Sequence, residues 1–181
     1  FATILGVIIF IEIPPALTVT GAVVVLTGLY LFVREERTVN TKSQFDELAK
    51  DWDANPVQLE RTKAVAEAIR NTIPLDTSMS TLDYGSGTGL LAFSLVDSVG
   101  SVLAVDTSEE MLKQIREKQQ KSGANIQTLR HDLTDAPLPG RNFDLLVSAM
   151  TLHHVDDVES LLRTFYELVN PGGYLVVADL E

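Results

Sequence analysis

The sequence predicts an α/β fold built on a doubly wound parallel sheet, and three observations carry that prediction. Five short runs rich in Val, Ile and Leu alternate with stretches of helical spacing, a glycine-rich turn follows the first run, and an acidic residue closes the second. Strands alternating with helices of this length form right-handed crossover units, which lay the strands parallel and place helices on both faces. Ahead of this region lies a stretch of different character, which reads as one to two hydrophobic membrane helices.

From Phe1 to Val33 the only formal charge is Glu12, and the 18 residues from Ala16 to Val33 carry none. That length just crosses a hydrocarbon core of about 30 Å at about 1.5 Å per residue. Gly21, Ala22 and Gly28 suit close helix packing in lipid, Tyr30 suits the interface, and Arg34 with Arg37 suit the cytoplasmic side. A secretory signal would place its basic residues first, whereas here they follow the apolar run. The alternative, given the frequent Val and Thr and a run at the lower length limit, is a buried helix or two β-branched strands of a soluble core. Glu12 and Pro14-Pro15 divide the run in two. The stretch LGVIIFIEIPPALTVTGAVVVLTGLYLFVREER resembles the last two helices of a drug/metabolite transporter superfamily permease. The expected organisation is a membrane segment over residues 1–33, a polar linker over 34–42, and a domain over 43–181 held in the cytoplasm. One and a half helices can anchor but cannot build a substrate path.

The net charge of −11, with 14 basic residues scattered among 25 acidic ones, argues against a nucleic-acid footprint. The absence of cysteine excludes disulfides, thiolate metal sites and a cysteine nucleophile.

After the linker, Phe45, Leu48, Ala49 and Trp52 have helical spacing, as do Val57, Val65, Ala68 and Ile69, the second set closing before Pro74. Pro56 fits a first helical turn. The five strands are expected around Thr81–Tyr84, Val102–Asp106, Ile126–Leu129, Phe143–Ala149 and Tyr174–Ala178. Helices are expected at Ser108–Lys121 and Asp157–Val169. In such sheets ligands bind beyond the carboxyl ends of the strands, so the residues just after each strand are the ones to inspect.

After the first strand runs Asp83-Tyr84-Gly85-Ser86-Gly87-Thr88-Gly89, and a helix begins at once. Alternate glycines allow a tight turn and close ligand approach, and free N–H groups at the helix start favour a carboxylate or phosphate. Asp106 lies 21 residues beyond Gly85, near the spacing at which an acid meets ribose hydroxyls. A dinucleotide fingerprint would need a third glycine where this chain has Leu90.

This pattern resembles motif I of the class I S-adenosylmethionine-dependent methyltransferases, a Rossmann-like family, and the rest of residues 41–181 follows that family in order. The resemblance implies S-adenosylmethionine as cofactor, with Gly85, Gly87 and Gly89 beneath its methionine part, Tyr84 and Ser86 in the same loop, and Asp83 near its amino end. It implies Asp106 on the ribose, Thr107, Ser108 and Met111 beside the adenosine, Asp132 and Leu133 at the adenine, and Ser148 and Ala149 near the sulfonium. Pro171, Gly172 and Gly173 would be structural, and Trp52 and His153 would wall a substrate pocket. His153 or His154 would be the candidate base. A metal is not expected of adjacent histidines with no third ligand. The partner implied is a small-molecule methyl acceptor. The competing readings are a nicotinamide-dependent oxidoreductase and a non-catalytic, membrane-tethered cofactor-binding module. The fifth strand is expected to end the sheet as a poorly protected edge, the family's later elements being absent here, and such an edge invites weak cofactor binding or misfolding.

Overall fold

The computed structural model describes residues 6–12, 49, 51–136, 138, 140 and 142–180. Among them, six strands form one sheet: β1 (Gly6–Glu12), β2 (Ser80–Tyr84), β3 (Ser101–Asp106), β4 (Ile126–Arg130), β5 (Phe143–Ala149) and β6 (Val169–Leu180). The order across the sheet is β1-β6-β5-β2-β3-β4. Strands β2 to β6 are parallel, and β1 is antiparallel to β6.

Among the described residues four helices pack on this sheet: α1 (Pro56–Thr72), α2 (Leu90–Leu95), α3 (Glu109–Ser122) and α4 (Val158–Leu168). Their starts have local causes. Asn55 Oδ1 accepts the Val57 N–H at 3.0 Å ahead of Pro56. Ser108 Oγ accepts the Met111 N–H at 3.1 Å, and Asp157 Oδ1 accepts the Ser160 N–H at 2.9 Å. Each bond satisfies a donor that the first helical turn leaves open. Gly123, left-handed at φ 70°, ends α3.

Side chains alternate across the strands, and the core divides accordingly. Leu82, Leu103, Val105 and Leu146 face the core that Leu161 and Phe165 of α4 cover. Val102, Ala104, Leu145 and Val147 face the other, closed by Ile69 of α1, Leu91 and Leu95 of α2, and Leu112 and Ile115 of α3. Burial on both faces explains why apolar residues stand at consecutive positions such as Val102–Val105 and Leu145–Val147. Burial of a side chain such as Phe165, fully enclosed here, contributes about 1.5–3 kcal/mol.

All five expected strands form, within a residue or two except that β6 begins at Val169 rather than Tyr174. It carries Pro171 and Gly172 through a pairing irregularity opposite Phe143 and Leu145. Four expectations are corrected. Residues Gly6–Glu12 belong to the stretch read as membrane helix, yet they form a strand. The run GVIIFIE is dominated by β-branched residues, which fit extended pairing. The same strand pairs with β6 from Gly6↔Leu180 to Glu12↔Tyr174, so the edge expected to stand open is covered. Trp52 lies in a short 3-10 turn, Trp52–Ala54, rather than in an α-helix, and Val57 is 52% exposed rather than packed. Among the described residues no helix is long and apolar enough to cross a membrane. The stretch Ala16–Val33, the linker 34–42, Phe45 and Leu48 lie outside the described residues.

Candidate functional site

The chain steps outward from β2 to β3 and β4, then returns to β5 on the other side of β2. Strand order reverses there, and open α/β sheets bind ligands at such a reversal, beyond the carboxyl ends. A cavity of about 510 Å³ opens at that place.

Its floor is the turn after β2. Gly85, Gly87 and Gly89 have φ of 69°, 53° and 82°, a region that side chains disfavour. A Cβ on Gly85 would stand 2.2 Å from Thr151 Oγ1, whereas one on Gly87 would meet nothing within 4 Å. The first glycine is therefore required by packing and the second leaves clear space for a ligand. Gly89 starts α2, where a Cβ would lie 2.8 Å from Ile115 Cγ1, and it does not line the cavity.

Asp106 closes β3 and reaches back over this turn. Its Oδ2 accepts the Gly87 N–H at 2.7 Å and its Oδ1 the Ser108 N–H at 2.8 Å. Thr107 and Met111 line the cavity beside it, while Ser108 is buried as the helix cap.

Asp83 is 2% exposed, and its Oδ2 has no hydrogen-bond partner. Burial foremost, then the charge of Asp106, pushes its carboxyl up to about 7, against a lowering hydrogen bond from the Ala92 N–H. Ser86 Oγ is likewise buried without a partner. Two polar atoms thus lack partners at the floor of one cavity, a condition native structures rarely tolerate without a ligand or water to relieve it.

The Tyr84 hydroxyl donates to Asp132 Oδ1 at 3.3 Å. Burial, then the charge of Asp132, raises the phenol. For Asp132 itself burial acts upward, but the Thr134 hydroxyl and N–H, at 2.7 and 2.9 Å, prevail and hold it below the usual carboxylate range. Leu133 is buried in the core, and Ser148 spends its hydroxyl on the Tyr84 carbonyl at 3.0 Å; neither lines the cavity.

Beyond β5, Ala149, Met150 and Thr151 lead into a 3-10 turn, Leu152–His154, and both histidines line the cavity. Met150 has φ 58°, strained for a side-chain-bearing residue. Asp179 of β6 binds this turn together: Oδ2 accepts the N–H groups of Thr151 at 3.0 Å and Leu152 at 2.6 Å, and Oδ1 pairs with His153 Nδ1 at 2.6 Å. Burial foremost, then His153, lowers the imidazole of His154.

On the opposite wall stands Trp52. The neighbouring Asp53 accepts the Thr88 hydroxyl at 2.5 Å and Lys118 Nζ at 2.7 Å, fixing the turn to the glycine loop and to α3. Gln58, Arg61, Thr62 and Val65 also line the cavity from α1. Gln58, Arg61 and Thr62 went unnoticed in the sequence, and Val65 was read only as a helix residue, although the i, i+3, i+4, i+7 spacing of the four marks one helix face. Asp179 was missed as well, although it lies near the end of the fifth strand.

A family model described as a methyltransferase domain matches residues 82–177. An uncharacterised methyltransferase of Mycobacterium tuberculosis is 39% identical over 105 residues, 58% of this chain and 52% of the relative. The ubiquinone/menaquinone biosynthesis C-methyltransferase UbiE of Escherichia coli is 35% identical over 105 residues, 55% of this chain and 42% of the relative. The chain thus spans about half the length of the relatives it matches. Among solved structures, a complex of DhpI with SAH is 30% identical with a TM-score of 0.62, covering 76% of this chain and 66% of that one.

Proposed function

The chain belongs to the methyltransferase domain family, and from that premise we propose that it binds S-adenosylmethionine in the cavity between β2, β3 and β5 and transfers its methyl group to a small-molecule acceptor. The observation that carries this reading is the partnerless carboxylate oxygen of Asp83, buried at the cavity floor beside the equally partnerless Ser86 hydroxyl. An ammonium group placed there relieves a buried charge that the protein itself leaves unanswered. Asp106 lines the cavity where a ribose would lie, and Asp132 with Tyr84 edges the place of a base. The open space over Gly87 receives the chain between them.

Charge separates this reading from a nicotinamide one. Asp83, Asp106, Asp132, Asp156 and Asp157 line the cavity against a single guanidinium, Arg61. An acidic cleft attracts a sulfonium cation and repels a pyrophosphate.

When bound, S-adenosylmethionine supplies a methyl carbon made electrophilic by its sulfonium. The chain's own part is alignment and exclusion of water: Trp52 and α1 wall one side, the turn after β5 the other. Holding donor and acceptor in near-attack geometry can supply about 7–11 kcal/mol of the barrier. His153 and His154 are the groups placed to accept a proton from the acceptor.

Calorimetric titration of S-adenosylmethionine, and separately of NAD, into the chain tests the reading. Asp106→Ala and Asp106→Asn are both expected to weaken the sulfonium cofactor about 100-fold, since hydrogen bonds to a charged group contribute about 1.5–3 kcal/mol each. The asparagine is no milder, because both oxygens of Asp106 accept backbone N–H groups and an amide nitrogen would face one of them. Binding of NAD alone would overturn the proposal.

A further inference from the structure

We propose that His153 and Asp179 act as a general-base pair, with His153 the catalytic residue and Asp179 its positioning residue, and that the acceptor presents a hydroxyl whose proton must be removed. The inference rests on the methyltransferase reading and narrows its substrate class.

Two adjacent histidines line the cavity, and their surroundings distinguish them. His153 Nδ1 meets Asp179 Oδ1 at 2.6 Å, with the side chains 22% and 11% exposed. Because the carboxylate is an acceptor, it selects the neutral tautomer that carries its hydrogen on Nδ1 and leaves Nε2 bare. Nε2 lies on the opposite side of the ring and has no hydrogen-bond partner among the described residues. A base whose second nitrogen is fixed by a carboxylate, and whose first is open to a cleft, is the arrangement that proton abstraction needs.

Asp179 does more than touch the ring. Its other oxygen accepts the Thr151 and Leu152 N–H groups, so one carboxylate sets both the turn and the imidazole it carries. The strained φ of Met150 immediately precedes these two N–H groups, as expected where surrounding contacts force a turn into one position. The groups facing the His153 ring are Asp179 on β6 and His154, whose ring centroid is 3.9 Å away; Asp156 and Asp157 line the same cavity. Burial foremost, and then His153, work against a proton on His154.

A hydroxyl is a poor nucleophile until its proton leaves, a phenol being about pKa 10. Nε2 of His153 takes that proton while the oxygen lone pair bonds to the methyl carbon, whose former bonding pair stays with sulfur. The positive charge carried in on the sulfonium ends on the imidazolium, which then returns its proton to water. Atoms and charge balance without a further reactant.

The first test is nitrogen NMR of the imidazoles in the full chain, comparing wild type, Asp179→Asn and His153→Gln. The expected result is that, where the His153 ring carries one hydrogen, it sits on Nδ1, with loss of that preference in Asp179→Asn. A hydrogen on Nε2 in the wild type overturns the pair. S-adenosylmethionine titrated into the same samples keeps the two readings apart: binding with the wrong tautomer sinks only the pair, and the expected tautomer without binding sinks the methyltransferase reading. The second test is methylation of a series of substituted phenols of graded acidity. His153→Gln leaves both backbone anchors of Asp179 in place, and it is expected to slow transfer at least 100-fold for the least acidic phenol and progressively less for more acidic ones. A loss equal across the series marks a merely structural role, and failure of the cofactor-loaded wild type to methylate any phenol overturns the acceptor class.

Discussion

Asp83 is a carboxyl held out of water, with one oxygen lacking a partner among the described residues. Its carboxyl is raised from 3.8 to about 7 by burial and by Asp106, so the folded protein holds a proton that the unfolded chain releases. The sign follows: the group's contribution to stability is full below about pH 3.8, declines as pH rises, and is lost as pH passes through about 7. Asp83→Asn keeps the shape without the ionisation. Its melting temperature relative to the wild type is expected to rise as pH goes from 4 to 8, and a difference that stays constant over that range would contradict a raised carboxyl. Binding should show the converse. An ammonium selects the ionised form, so cofactor affinity should fall as pH drops from 7 to 5, approaching tenfold per unit, and should be flat and weak in Asp83→Asn. Affinity of the wild type that is constant over that range would remove the ammonium from this corner of the cavity.

The 3-10 turn Trp52–Ala54 shows how an element with little stability of its own is placed by one side chain. Asp53 ties it to Thr88 in the glycine loop and to Lys118 on α3, whose Nζ also lies 5.0 Å from the Phe93 ring centroid. Trp52 is the chain's single tryptophan, so its emission reports this wall alone. Asp53→Ala is expected to shift that emission to the red and to speed cofactor release about tenfold in stopped-flow traces; unchanged emission and release would mean that the turn is held by other contacts. The contrast with the strands explains what was legible. Buried parallel strands leave a mark in sequence because their inner positions on both faces are apolar, and the glycine turn with Asp106 leaves one because its spacing is local. The bonds of Asp53 and Asp179 join residues 26 to 65 positions apart, through polar side chains that a linear reading assigns to solvated surface. For the same reason His153 and His154 were noticed as a pair and left undistinguished: the partner that separates them stands on another strand.

At the scale of the whole sheet, one strand from the far end of the chain closes what the rest leaves open. Residues Gly6–Glu12 were misread because a β-branched apolar run has no period of its own, and its neighbours to residue 33 share its composition. What decides its state is the edge of β6, whose backbone groups need partners along Tyr174–Leu180. That edge includes Asp179, opposite Val7, so the strand that seals the sheet also steadies the residue that positions His153. Successive N–H groups in a strand point to opposite edges, so one of Ile8 and Ile9 must donate to β6 whichever way the ladder falls. The double substitution Ile8→Pro/Ile9→Pro therefore removes at least one ladder bond of about 1 kcal/mol and opens a run of β6 to other chains. The expected outcome is a melting temperature lower by at least a few degrees and concentration-dependent growth in light scattering. It should also partly lose the His153 tautomer, because a frayed β6 no longer holds Asp179 still. A variant that stays monomeric, melts with the wild type and keeps its tautomer would show that β6 is stable without this partner, and would detach the base from the edge of the sheet.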